Sequence, residues 1–175
     1  MNEATLLASA QKRDLEIIGS NWREVLALIE RNPFSERIFY LLAHQEIASV
    51  AVVNTRGISS PPNCIGTALY IAGVSTLPYP YHAYSYELNP HMEQPGEKRW
   101  DDFFWPHEER RIPGGFVFSF CAEGDGWHAG IYLGQIGDEH ILFAQHDHGG
   151  NFGVETLARN YASPDYYGPS TLLKV

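Results

Sequence analysis

Cysteine is scarce in this chain: two residues, Cys64 and Cys121, among 175. So few thiols give no sign of a disulfide-stapled scaffold, in which several cross-links substitute for a core. Positive charge is scarce as well. Twelve Lys and Arg stand against 21 Asp and Glu, for a formal charge of -9. Such a surface repels a phosphate backbone, so nucleic acid is not an expected partner. Long apolar runs are also missing. No segment approaches the ~20 residues that cross a bilayer as a helix, so no membrane span is expected. The opening MNEATLLASAQKRDLEIIG carries acidic residues early and lacks a long apolar core, unlike a signal peptide. The expectation is a chain made in the cytoplasm, either acting there or exported by a leaderless route.

What is present suffices for a folded unit. Hydrophobic residues make up 44% and charged residues 19%, enough apolar surface to order a core. The length suits one domain over residues 1–175. Residues 1–55 read as a helical N-terminal segment and 60–175 as the core, with an aromatic-rich insertion at 75–113. Helices are predicted over 3–17 and 21–31, the second opened by Asn21 with Glu24 three residues on, in the manner of a capping box. SERIFYLLAHQEI, from Ser35, repeats apolar residues at helical spacing. NTRGISSPPN, residues 54–63, reads as a loop that delivers the chain to Cys64. Further on, GFVFSFC, HAGIYLG, HILFAQ and STLLKV are short β-prone runs separated by AEGDGW, QIGDE and HGGN. HGG followed by NFG reads as a turn. Helices first and an antiparallel meander afterwards make an α+β order.

Cys64 stands directly after PPN and before the apolar run CIGTALYIAGV. A helix start there matters chemically, because unpaired N–H groups and the helix dipole favour the thiolate, the nucleophilic form of cysteine. A buried core thiol is the plain alternative. Cys121, inside the strand-like FVFSFC, has no such helix start and serves as the inert reference. A cysteine nucleophile needs an imidazole as proton acceptor, and the imidazole needs a polar group to orient it. His128, at the mouth of the strand in GDGWHAGIYLG, is the candidate.

Together these motifs resemble the NlpC-like cysteine peptidases, papain-superfamily enzymes best known for cleaving the peptide stems of bacterial cell wall. The resemblance covers about residues 60–155. HAGIYLG is its most specific part, and Asn63, Cys64, Ile65 and Gly66 match the looser cysteine motif. The related branch similar to lecithin:retinol acyltransferase places its histidine before the cysteine, whereas here the cysteine comes first. The resemblance implies a papain-like fold, N-terminal helices followed by an antiparallel sheet packed on the nucleophile helix. It also implies hydrolysis of an amide through a thioester, with a peptide or peptidoglycan fragment as substrate and no cofactor. Asn63 and Trp127, beside the two reactive residues, are candidate substrate contacts. An exported effector of this kind would have an inhibitor or immunity protein as partner.

The third catalytic residue is where the chain departs from the family. The family has a polar residue, often His, on the strand after the histidine strand, and the matching position here is Phe143. With Gly137 and Asp138 as the turn, hairpin register places Gln145 on the face of His128, and its amide oxygen is the predicted acceptor for the imidazole. A slip of one residue would turn Gln145 away and bring His146 round; Asp147 is a further candidate, and His140 lies too near the turn. HDH at 146–148, with His140, lacks a third ligand at fixed spacing, so no metal site is predicted. The rival readings are a deamidase or acyltransferase using the same cysteine and histidine, and a non-catalytic binding module that keeps the fold.

Overall fold

The computed structural model describes residues 2–75, 77–88, 113–120, 127–146, 149–160 and 165–167, with the backbone alone at 118–120, 127, 159–160 and 165–167. The N-terminal segment is helical, as its apolar spacing dictates. Four helices, α1 (Glu3–Ser9), α2 (Leu15–Ser20), α3 (Trp22–Arg31) and α4 (Ser35–Ala43), follow one another with short breaks. Asn2 caps α1, its side chain accepting from Thr5 N at 3.0 Å. In α3, Val25 and Ile29 lie four apart, on one face, and both are fully buried.

Two details differ from the expectation. The predicted helix over 3–17 is interrupted, because Ala10 and Gln11 are extended (ψ 148° and 142°). The break lets buried Asp14 leave the helix line and accept from Thr156 N and Oγ1, at 3.2 and 2.8 Å. The capping pair of Asn21 and Glu24 does not form either. Asn21 precedes α3, but its side-chain amide donates back to Ile17 O at 2.8 Å.

The stretch read as loop over 54–63 contains the return of a small hairpin, β1 (Val52–Val53) paired with β2 (Ser59–Ser60). Asn54 shapes its turn by accepting from Arg56 N and Ile58 N. The chain then enters α5 (Cys64–Ile71), in which Ile65, Gly66, Thr67, Ala68, Leu69 and Ile71 are buried. A helix buried nearly all round is a central one.

An antiparallel five-stranded sheet follows, formed by β3 (Phe116–Phe120), β4 (Trp127–Ile136), β5 (Glu139–Gln145), β6 (Phe152–Thr156) and β7 (Asp165–Tyr167), in the order β6-β5-β4-β3-β7. A short helix, α6 (Leu157–Asn160), leaves β6. Phe116, Ile131, Phe143 and Val154 stand opposite one another in a row across four strands and are buried with side chains of α1 to α5. Each such side chain contributes about 1.5–3 kcal/mol by leaving water. The architecture is therefore α+β, with the helices packed on the antiparallel sheet.

Three of the predicted runs are strands. The fourth, STLLKV, lies outside the described residues, as does most of the aromatic insertion. Two further strands are β6, which grows out of the NFG read as a turn, and β7. Among the described residues no helix is long and apolar enough to cross a membrane.

The hairpin of β4 and β5 turns at Gly137 and Asp138, as predicted, with Ile136 opposite Glu139. Its register is not uniform. Gly134 pairs with Ile141, but Tyr132 pairs with Leu142, so Leu133 is an extra residue in a bulge. Gly134 takes φ 149°, a conformation that a side chain rarely adopts. Beyond the bulge every pairing is shifted by one, and this shift decides which residues of β5 can face His128.

Candidate active site

Cys64 is the first residue of α5, and the side chain of Asn63 caps the helix by accepting from Gly66 N at 2.9 Å. The same Oδ1 accepts from Ala83 N at 3.1 Å, while Nδ2 donates to Ala83 O at 2.8 Å. Asn63, predicted to touch substrate, thus has both ends of its amide committed to the protein. It ties the start of the insertion to α5. Gly66 is required by the close approach of the same segment, since a Cβ there would lie 1.7 Å from Tyr81 O.

The described part of the insertion is anchored inward. Tyr81, Ala83 and Leu88 belong to the core, so residues 77–88 cover apolar surface. His82, Tyr84 and Tyr86 form a ring ladder alongside, with Arg56 4.4 Å from the Tyr84 ring and 4.9 Å from that of Tyr86.

Cys64, half-buried, and His128, 7% exposed, share a side-chain hydrogen bond. The far side of the imidazole does not meet Gln145. His128 Nε2 donates to Glu155 Oε1 at 2.9 Å, and Glu155 is completely buried on β6. With Nε2 so committed, Nδ1 is the ring nitrogen left for the thiol. Gln145 serves elsewhere: its Oε1 accepts from Thr67 Oγ1 of α5 at 2.8 Å, and its Nε2 donates to Ala48 O and Gly150 O.

The bulge explains the correction. Continuing the shifted register, with Gly130 opposite Ala144, brings His146 level with His128 and turns Gln145 to the other face of the sheet. His146 does not contact His128; its Nδ1 lies 3.3 Å from Glu155 Oε2. His140 sits near the turn, with its Nδ1 2.8 Å from Tyr132 Oη. Trp127 begins β4, but its side chain, like Asp147, His148 and Cys121, lies outside the described residues. No cluster suited to a metal ion occurs among the described residues.

The electrostatics follow from this geometry. Burial pushes the pKa of His128 down, but the charge of Glu155 and hydrogen bonds with Cys64 and Glu155 outweigh it and hold the ring well above its ordinary value. Burial pushes the carboxyl of Glu155 up, yet His128, assisted by His146, keeps it far below the usual carboxylate range. The favoured state is a buried imidazolium–carboxylate pair with the sulfur of Cys64 beside it.

Glu155 is the site residue that reasoning from sequence did not find. Its signal was the alternation of Phe152, Val154 and Thr156 after Gly149 and Gly150, enough for a short strand but hidden by the turn-like HGGNFG. Two clefts, of about 450 and 370 Å³, open around Arg37 and Gly73 near the C-terminal end of α5, away from Cys64. Comparison of the chain with protein families, with curated proteins and with solved structures finds no match.

Proposed function

We propose that the chain is a cysteine hydrolase of papain-like, NlpC-type architecture that opens an amide bond through a thioester on Cys64. One observation carries the reading: His128 engages the thiol of Cys64 on one side and buried Glu155 on the other. Cys64 Sγ attacks the carbonyl carbon of the amide, and His128 Nδ1 holds the thiol proton. The backbone N–H of Cys64, at the start of α5, is the donor offered to the oxyanion. The C–N bond breaks as His128 passes the proton to the leaving amine. Water, deprotonated by the same ring, then attacks the thioester, releasing a carboxylic acid and the free thiol. Glu155 orients the imidazole and stabilises its protonated form, the role of the third residue in such sites. The resemblance of HAGIYLG and NCIG to the NlpC-like peptidases supports peptide stems of bacterial cell wall as the substrate class.

The test is alkylation by iodoacetamide across pH, with peptide mapping to separate Cys64 from Cys121. Below pH ~7 an ordinary thiol is mostly protonated and slow. Cys64 is expected to react faster than Cys121 there and to slow about tenfold or more in His128→Ala. Equal rates in the two proteins would refute the thiol–imidazole pair. Mass spectrometry of muropeptide digests then identifies the bond cleaved. Products that carry an added amine or alcohol in place of water would make the enzyme a transferase.

A further inference from the structure

We propose that His146 is a positioning residue for Glu155: it holds one carboxylate oxygen so that the other stays on His128, and the N-terminal segment in turn holds His146. The proposal rests on the catalytic reading of Cys64 and His128 and adds what sets the aim of their carboxylate. The two oxygens of Glu155 are divided between two rings, Oε1 with His128 Nε2 at 2.9 Å and Oε2 near His146 Nδ1 at 3.3 Å. His146 is 7% exposed and Glu155 is fully enclosed, so little water competes for these contacts.

The outer side of the His146 ring belongs to residues some 135 positions earlier. Its Nε2 donates to Ser9 O at 3.0 Å, at the end of α1. Gln11 Nε2 lies 3.1 Å from Nδ1, and the orientation of that amide is set by Arg13 Nε donating to Gln11 Oε1 at 3.1 Å. Gly153 makes the approach possible, because a Cβ there would lie 1.7 Å from Ser9 O and 2.7 Å from His146 Nε2. The interruption of the first helix at Ala10 and Gln11 is what brings these groups to the sheet.

Hydrogen-bond logic assigns the contacts to protonation states. Ser9 O needs a proton on Nε2 in either state. When the ring is protonated, Nδ1–H donates to Glu155 Oε2; when it is neutral, Nδ1 accepts the amide N–H of Gln11 instead. The charged or titratable groups about this ring are Glu155 of β6, His128 of β4 across that carboxylate, and Arg13 through Gln11.

Two roles for His146 predict opposite effects. If it were only a neighbouring cation, removing it would relieve repulsion and raise the proton affinity of His128. If it positions Glu155, removing it loosens the bond to His128 and lowers that affinity.

The experiment is a pH titration of the imidazole resonances in long-range ¹H–¹⁵N spectra of the wild-type chain and of His146→Phe. In His146→Phe the proton affinity of His128 is expected to fall about tenfold, one pH unit at the midpoint. An unchanged or raised midpoint in the folded variant overturns the proposal. Should His146→Phe not fold, His146→Leu is read in its place, with the same fall in the proton affinity of His128 expected and an unchanged or raised midpoint overturning the proposal. Failure of the catalytic reading looks different. Cys64 of the wild-type chain would then alkylate like an ordinary thiol, whatever His128 does.

Discussion

At Glu155 a carboxylate with no exposed surface lies between two imidazoles, so changing its charge should be felt in both stability and titration. Glu155→Gln leaves His128 without its counter-charge, and burial then dominates, so the ring is expected to titrate below its ordinary 6.5. Breaking a buried pair at one partner costs about 3–5 kcal/mol, measurable by urea unfolding. The pH dependence follows from the two directions of shift. His128, raised in the folded state, adds stability that is complete below pH 6.5 and is lost as pH rises through its folded value. Glu155, lowered in the folded state, adds stability that is complete above pH 4.5 and is lost as pH falls through its folded value. The difference between wild type and Glu155→Gln should therefore be greatest between pH 4.5 and 6.5; a difference independent of pH would contradict the pairing. Cys64 and His128 were legible because each carries a local signature, a helix start and a strand mouth. Glu155 was not, because its role depends on a strand two places away in the sheet.

Among the elements, α5 and β4 do most to position the site. Asn63→Ala removes the cap of α5, worth about 0.5–2 kcal/mol, and also unties Ala83. Urea unfolding should show a loss of at least that size, and amide exchange at Ala83 should quicken; protection unchanged at Ala83 would show that the tie carries little. The helix itself was readable from CIGTALYI behind PPN, since capping and apolar content are local properties. The hairpin of β4 and β5 was readable in its strands and turn but not in its register. No pattern in HAGIYLGQI marks Leu133 as the extra residue, because a bulge preserves the apolar content of a strand while changing its phase. That phase change moved the expected acceptor from His128 to Thr67 and made Gln145 a link between sheet and helix.

On the scale of the molecule, the N-terminal segment closes the open edge of the sheet. Among the described residues β6 has β5 on one side only, and an unpaired strand edge is a site of fraying and of pairing with other chains. Side chains fill the missing partner's place. Gln45 donates to Phe152 O at 2.7 Å and accepts from Phe152 N at 2.8 Å, while Asp14 takes the amide of Thr156. Gln45→Ala should cost about 1–3 kcal/mol and speed amide exchange at Phe152 while sparing Thr156, which Asp14 still holds. Equal loss of protection at both would mean that the whole strand detaches. The helical character of residues 1–55 was legible from apolar spacing. Their service to the edge was not, since single polar contacts across 107 or 142 residues leave no periodic trace.

The closing of that edge also orders events in time. During synthesis the groups that receive β6, Asp14 and Gln45, emerge first and wait for it; thiol and imidazole can meet once β4 has formed, but without their carboxylate. The buried carboxylate arrives only when the strand that carries it finds its berth, so under the proposed function an unfinished chain lacks a complete site.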